Sequence, residues 1–159
     1  MENAADMAKL QLNKEKMRLI QLLAAVPDER LNWSPSETSR TPLELAAHSA
    51  TSVGGILGLF QGNQIPGGGD TKEMDILFRK IEKEFTSRDQ VIALLEKNCA
   101  EYSAWLDTLT EEQLAAPFES PFGIFPLSGA IWFAAHHLSG HNSQLEYVQT
   151  IYGDRDWRM

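Results

Sequence analysis

The sequence predicts an all-α protein, an up-and-down four-helix bundle with a short extra helix before the third long helix. Apolar residues recur at helical spacing along most of the 159 residues, and capping residues stand where helices would begin. No segment alternates apolar and polar residues as a half-buried strand does. A chain of this length is expected to form a single domain spanning residues 1–159.

The first helix is predicted from Ala4 to Val26, where apolar residues recur at intervals of three, four and seven. Pro27 follows this stretch and ends the helix. Residues 31–40 are rich in Ser, Thr and Pro and are therefore expected to form a loop.

The second helix begins with a clear capping pattern. Thr41 is the cap, Pro42 suits the first helical position, and Glu44 completes a capping box, so the helix is predicted to run to Phe60. Its three glycines each weaken a helix by about 1 kcal/mol relative to alanine. They indicate either close helix packing or the close approach of another molecule to Gly54, Gly55 and Gly58.

A glycine-rich loop at residues 61–70 separates this helix from a short one, which begins at Asp70 or Thr71 and ends at Glu84. The loop lacks the Gly-Lys-Ser/Thr sequence of a phosphate-binding loop, and no strand precedes it. A nucleotide-phosphate site is therefore not predicted here.

The third and fourth long helices complete the predicted bundle. Ser87 caps a helix over Arg88–Leu109, and Thr110 begins a further turn. Residues 116–126 contain three prolines and are expected to be a loop. The last long helix is predicted over Leu127–Tyr152, with a glycine directly after it.

Charge and cysteine content exclude several classes of function. The 14 Lys and Arg residues against 22 Asp and Glu give a net charge of −8, which argues against binding to nucleic acid or to an anionic membrane. A single cysteine, Cys99, makes no internal disulfide and is expected in the core. With no apolar signal-peptide segment and no apolar stretch near ~18 residues, a cytoplasmic protein is expected.

Two histidines lie four residues apart in the predicted last helix, His137 and His141. They are separated by ~40° around the helix axis and ~6 Å along it, so both imidazoles reach one point. Both share a stripe with apolar residues that faces the bundle. Helical metal sites offer two ligands with this spacing, and a hydrogen-bonded pair of core histidines has the same pattern.

His48 in the second helix is the third candidate ligand. In a simple up-and-down bundle the second and fourth helices run parallel, which brings His48 near the depth of the histidine pair. Three imidazoles would form the shell typical of a catalytic zinc site, with one position left open.

Three segments resemble the DinB/YfiT-like superfamily of four-helix-bundle metalloenzymes. Residues 31–35 (Leu-Asn-Trp-Ser-Pro) resemble its Leu-x-Trp-x-Pro element, and residues 41–48 resemble its second-helix segment that ends in a histidine ligand. Residues 137–145 resemble its His-x-x-x-His-x-x-Gln-Leu signature. Their order and spacing extend the resemblance over the whole chain.

The resemblance implies that His48, His137 and His141 bind a divalent ion, typically zinc, nickel, iron or manganese, with water completing the shell. It implies a small-molecule substrate, with a low-molecular-weight thiol among the candidates, and pairing of two chains as a homodimer. Many members carry Arg-Gly where this chain has Asn142 and Ser143. A contact from that arginine to an anion is therefore not expected here.

The leading hypothesis is a metal-dependent enzyme, of transferase or hydrolase type, in which the ion activates water or a thiol. Glu44 would orient an imidazole or move a proton, or else serve only as the capping-box carboxylate. Gln144 would hydrogen-bond a ligand histidine, or else pack between helices. The other hypotheses are a non-catalytic metal-binding or stress-associated protein, and a metal-free helical interaction protein.

A substrate mouth is expected where the second and fourth helices begin, between the loops at residues 31–40 and 115–126. Trp33, Phe122 and Phe125 are candidates for an apolar pocket wall, together with Phe118 and Trp132. Because aromatic side chains mostly contribute burial, Trp33 and Trp132 are equally consistent with core positions.

Overall fold

The computed structural model describes residues 3–120 and 123–158, and most of these residues are helical. The described elements, in chain order, are α1 (Ala4–Ala25), α2 (Pro42–Phe60), α3 (Thr71–Glu82), α4 (Arg88–Leu106), α5 (Glu111–Ala115), β1 (Pro117–Ser120), β2 (Gly123–Pro126), α6 (Leu127–Ala130) and α7 (Phe133–Ile151). The long helices α1, α2, α4 and α7 form the predicted four-helix bundle, and α3 is the predicted short extra helix. The predicted up-and-down order of the helices is wrong, because α2 and α4, which follow one another among the long helices, run in the same direction.

The first and last long helices, α1 and α7, run parallel. Asn142 Nδ2 donates a hydrogen bond to the carbonyl oxygen of Glu15 at 2.9 Å, and Gln149 Nε2 donates one to that of Leu22 at 2.7 Å. Residue numbers rise together along both helices, which fixes their common direction.

The two middle long helices, α2 and α4, also run parallel. Asn98 Nδ2 donates a hydrogen bond to the carbonyl oxygen of Ala50 at 2.8 Å. Near the C-terminal ends, Phe60 stacks on Trp105 with 4.6 Å between the ring centroids. Both α4 and α7 pack against α1 and α2, so the order around the bundle is α1, α4, α2, α7.

Helices α2 and α7 are antiparallel, and the expectation that the second and fourth long helices run parallel is wrong. His48 lies against His141, with 4.6 Å between ring centroids, while Phe60 lies near Phe133. The cause is the connection from α2 to α4. Helix α3, about 18 Å long, returns the chain along α2, so α4 begins at the same end as α2.

The bundle core is built from the inward faces of these helices. Cys99 is 4% exposed, as expected of a core residue. Tyr102 is fully buried and its hydroxyl donates a hydrogen bond to the carbonyl oxygen of Ile131 at 2.9 Å. The other large side chains with almost no exposure are Leu12, Leu19, Leu22, Leu23, Leu43, Leu95, Leu106, Ile131, Leu138, Leu145 and Gln149.

A short antiparallel hairpin replaces the loop predicted at residues 116–126. In it Pro117 pairs with Pro126 and Phe118 pairs with Phe125. Each strand has four residues, which is too short for an alternating pattern to be recognised in the sequence. The hairpin presents aromatic rings toward the N-terminal end of α7, where Phe125 lies edge-on to Phe133.

The predicted last helix is interrupted near its start. It consists of α6 and α7, separated by Ile131 and Trp132. The carbonyl oxygen of Ile131 accepts the hydrogen bond from the Tyr102 hydroxyl, a buried contact at the break. The other predicted ends of the long helices agree with the structure or differ from it by at most three residues, which is close to the usual uncertainty at a helix end.

By length and composition, α2 alone among the described helices reaches the criteria for crossing a membrane. Glu44 is the one charged residue in α2. The expectation that no apolar stretch reaches about 18 residues is therefore wrong. In the bundle, 61% of the most apolar stretch of α2 is buried. A helix at the centre of a bundle meets the same criteria because it is apolar on several faces.

Candidate metal centre

The capping box at the start of α2 is formed as predicted. The Thr41 N–H donates to Glu44 Oε2 at 2.9 Å, and the Glu44 N–H donates to Thr41 Oγ1 at 3.2 Å. The Glu44 carboxylate is therefore engaged at the helix end, one turn before His48. This places the buried His48 ring on a well-anchored turn of the helix.

The three predicted histidines lie together in the structure. His48, His137 and His141 each offer a ring nitrogen, and these three atoms lie within 4.8 Å of one another. His48 Nε2 and His137 Nε2 are 3.3 Å apart. The His137 and His141 ring centroids are 4.4 Å apart on consecutive turns of α7. The i, i+4 spacing supplies the pair, and the crossing of α2 over α7 supplies the third ring.

Two hydrogen bonds fix which nitrogen of two of these rings is free. His48 Nδ1 lies 2.7 Å from Glu82 Oε1, and a carboxylate accepts, so Nδ1–H donates and Nε2 keeps its lone pair. His141 Nδ1 lies 2.7 Å from Gln144 Oε1, and the same reasoning leaves its Nε2 free. Outer partners of this kind orient the histidine ligands in metal sites.

The donor set fits a divalent ion. Two nitrogens bound to zinc at about 2.0–2.1 Å and at a tetrahedral angle lie about 3.3 Å apart, and the two Nε2 atoms of His48 and His137 are 3.3 Å apart. Three histidine ligands would leave a fourth position for water or substrate, as in catalytic rather than structural zinc sites.

The charge states of His137 and His141 suit metal ligands. The pKa of His137 is lowered to about 3, chiefly by burial and in addition by the neighbouring His141, His48 and Arg40. Burial also lowers the pKa of His141, and His48 adds to this. Both imidazoles are therefore neutral at pH 7, so a metal ion displaces no proton from them.

Glu82 and Arg40 complete the surroundings of His48, and the sequence analysis missed both. Arg40 Nε donates to Glu82 Oε2 at 2.7 Å and Arg40 Nη2 donates to Glu82 Oε1 at 3.0 Å. Burial raises the pKa of the Glu82 carboxyl, but hydrogen bonds and charges from His48 and Arg40 outweigh it and hold the pKa below the usual range. The buried Glu82 is therefore an anion.

One signal in the sequence bears on this missed carboxylate. Asp75, Phe78 and Glu82 recur at helical spacing along α3, so two acidic residues share a face with an apolar ring. In the structure the Phe78 ring lies edge-on to His48 at 5.2 Å, and Asp75 accepts a hydrogen bond from Arg40 at 2.9 Å. The spacing predicts which face of α3 is partly buried, but it does not predict which helix that face packs against.

A cavity of about 760 Å³ adjoins the histidines. It starts at His48 and His137 and extends along α2 toward its C-terminal end, where residues of α3, the hairpin and α7 line it. Its described lining includes the aromatic side chains of Phe60, Phe78, Phe118, Phe125, Phe133 and His136.

The aromatic residues predicted for a pocket wall have different positions. Phe125 lines the cavity, and Phe122 lies outside the described residues. Trp33 does not line it: its ring lies edge-on to Tyr152 at 6.0 Å, with Arg30 5.0 Å above it. Trp33 packs against the core, consistent with the alternative stated for it.

The position of the mouth also differs from the expectation. We expected it between residues 31–40 and residues 115–126, where α2 and the last long helix begin. The cavity does adjoin the hairpin within residues 115–126 and the start of α7, but it lies toward the end of α2, beside residues 63–66, and not beside residues 31–40. The antiparallel arrangement explains this difference, because the start of α7 meets the end of α2 rather than its beginning.

Comparison with known proteins gives one family match. The family model of the DinB superfamily matches residues 11–145 of the chain. No curated protein sequence matches the chain.

Several solved structures share the fold at low sequence identity. YfiT from Bacillus subtilis, described as a probable metal-dependent hydrolase with an unusual four-helix bundle topology, is 21% identical with a TM-score of 0.73, covering 94% of this chain and 87% of its own. A DinB-like protein from Bacillus subtilis is 18% identical with a TM-score of 0.66, covering 96% of both chains. An uncharacterized protein from Clostridium difficile is 17% identical with a TM-score of 0.73, covering 95% and 98%.

Proposed function

The chain belongs to the DinB superfamily, and from its histidine cluster we propose that it is a metal-dependent enzyme acting on a small molecule. His48, His137 and His141 would hold the divalent ion. Such an ion lowers the pKa of a bound water to about 7, or favours the thiolate of a bound thiol, and so supplies a nucleophile.

The single observation that carries the proposal is the 3.3 Å separation of His48 Nε2 and His137 Nε2, with the His141 ring beside them. Lone pairs at this distance repel unless a proton or a cation lies between them. Glu82 holds the His48 ring and adds a negative charge, while Gln144 holds the His141 ring. These two residues are positioning residues, since they act through the ligands.

The reaction is proposed to be hydrolysis or transfer to a low-molecular-weight thiol. The description of YfiT as a probable metal-dependent hydrolase supports the first of these. Zinc, nickel, iron and manganese are all candidates, because three neutral imidazoles suit several divalent ions.

A single buried thiol, Cys99, suits the reducing cytoplasm, which we propose as the location. Pairing as a homodimer also stays a proposal, and light scattering tests it.

A non-catalytic metal-binding protein is the second candidate, and one observation favours it. Both carboxylates within one turn or one hydrogen bond of His48 are engaged. Glu44 caps α2, and Glu82 is held by Arg40. Neither is placed as a free general base, so catalysis would rest on the ion and its bound nucleophile.

Cobalt substitution separates the two candidates. The protein loaded with Co²⁺ is expected to show a visible absorption spectrum that shifts when azide or 2-mercaptoethanol is added, because an open position accepts either ligand. His136→Ala is the matched control, since His136 neighbours the cluster without belonging to it. A cobalt spectrum that neither ligand alters would favour the non-catalytic protein.

A further inference from the structure

We propose that the cavity beside the histidines binds a neutral, largely apolar molecule with a hydrogen-bond acceptor at its reacting end, and that Gly55 provides room for its body. This inference rests on the proposed function, because it takes the histidine cluster as the reacting end. It adds the chemical class of the substrate.

The lining determines this class. Its described residues include no Lys, Arg, Asp or Glu, whereas five phenylalanines contribute to it. A charged group moved from water into such surroundings loses its hydration and finds no opposite charge among these side chains, which is unfavourable. A volume of about 760 Å³ lies within the range of cavities that hold drug-sized ligands. The cavity therefore favours neutral over anionic molecules of that size.

Gly55 has a special place in this cavity. It lies seven residues after His48, which is about 10.5 Å along α2 and ~20° away around its axis. A Cβ atom built on Gly55 meets nothing within 4 Å, although Gly55 lines the cavity. Its missing side chain thus leaves open space, not a helix contact.

The neighbouring glycines have a packing reason that Gly55 lacks. A Cβ atom on Gly54 would lie 2.8 Å from Asn98 Nδ2, and one on Gly58 would lie 3.1 Å from Asn63 Nδ2. A glycine inside a helix makes the helix less stable than an alanine at the same position does. Among the described residues, no such Cβ contact exists at Gly55, where the open space beside the glycine belongs to the cavity.

Ser52 supplies a polar group close to the reacting end. It is one helical turn after His48 and 6% exposed, and it lines the cavity. The nearby hydroxyls of Ser49 and Thr51 donate to the carbonyl oxygens of Leu45 and Ala47, both at 2.8 Å. Within residues 3–120 and 123–158 the Ser52 hydroxyl has no such partner, so it is free to donate to a bound molecule.

A pair of fluorescent probes tests the preference for neutral molecules. N-phenyl-1-naphthylamine is neutral, and 1-anilinonaphthalene-8-sulfonate is the same molecule with one sulfonate. Titration of the metal-loaded and the metal-free protein is expected to show at least tenfold tighter binding of the neutral probe. Equal affinity for both probes would overturn the preference.

Variants locate the binding in this cavity. Gly55→Leu should weaken binding of the neutral probe at least tenfold, because its side chain would occupy the open space. Gly140→Leu is the matched control, since Gly140 is also a helical glycine with no atom near its Cβ position, and it lies outside the cavity lining. Equal loss in both variants, or loss in neither, would overturn the assignment.

Competition tests the role of Ser52. The ketone 4-phenyl-2-butanone should displace the neutral probe about three- to tenfold better than butylbenzene, the fold-change of one hydrogen bond. Ser52→Ala should abolish this advantage of the ketone and leave the affinity for butylbenzene unchanged. If the ketone keeps its advantage in Ser52→Ala, Ser52 does not bind the ligand. Probe binding does not require the ion, so the two proposals can fail separately. A protein that takes up no metal on reconstitution but still binds the neutral probe would refute the proposed function while leaving the cavity assignment intact.

Discussion

The carboxylate of Glu82 accepts a hydrogen bond from Nδ1 of His48 across 2.7 Å, which turns Nε2 of His48 toward the other two histidines. This contact joins two parts of the chain that are 34 residues apart. It exists because α3 returns along α2. The crossover helix therefore has a role in the site as well as in the direction of the bundle.

The contact predicts that Glu82→Gln weakens metal binding about 10- to 100-fold, the usual effect of losing an outer partner of a ligand histidine. The loss follows because a neutral amide neither holds nor polarises the His48 ring as a carboxylate does. Competition with a chromophoric chelator measures the affinity. Glu73→Gln, on the exposed side of the same helix, is the control, and equal affinities of the two variants would contradict the prediction.

The capping box predicts that Glu44→Ala lowers the free energy of unfolding by about 1 kcal/mol and leaves metal affinity unchanged, because its carboxylate serves the helix end. Urea unfolding of the metal-free protein measures the first quantity. Gln113→Ala alters the second capping box, at the start of α5, and provides a comparison. Unaltered stability together with lost metal affinity in Glu44→Ala would show that the residue serves the site instead.

The lowered pKa of His137 predicts acid sensitivity of the metal-free protein. This pKa is about 3 in the folded chain and 6.5 in the unfolded chain, so between these values the unfolded chain binds the extra proton. Stability is then lost as pH falls below about 6.5, with a limiting slope of about 1.4 kcal/mol per pH unit from this group.

His137→Gln isolates that contribution, because the charged and titratable groups that act on the ring, which are His48, His141 and Arg40, remain in both proteins. Urea unfolding at pH 7, 6 and 5 should show a shallower loss of stability in the variant. An equal loss of stability in the two proteins as pH falls would contradict this role of His137.

Burial of Cys99 predicts an unreactive thiol. The pKa of this group is raised to about 12 by burial, so hardly any thiolate exists at pH 8. Ellman's reagent should react with the folded protein far more slowly than with the protein in urea, which absorbance at 412 nm follows. Because the chain has one cysteine, fast reaction of the folded protein would contradict this position directly.

Local features of the fold can be predicted from the sequence, whereas the relative directions of the long helices cannot. Thr41 and Ser87 mark where long helices begin because capping is a contact between residues three apart. The antiparallel run of α2 and α7 depends on how α3 packs, which no local pattern encodes. The hairpin was missed since strands of four residues carry too little periodicity.

The candidate site divides in the same way. His137 and His141 are predicted from their spacing, because two ligands on one helix are a local feature. Glu82 and Arg40 reach His48 through tertiary contacts alone. Trp33 was a candidate for the pocket because an aromatic residue looks alike in a core and in a cavity wall until its neighbours are known.

The central claim is that His48, His137 and His141 hold one divalent ion, and metal content by plasma mass spectrometry tests it most directly. The protein must carry no histidine tag. The account predicts about one ion per chain, lost in His48→Ala and in His141→Ala and retained in His136→Ala. No ion in the wild-type protein after reconstitution, or an undiminished content in His48→Ala and His141→Ala, would contradict it.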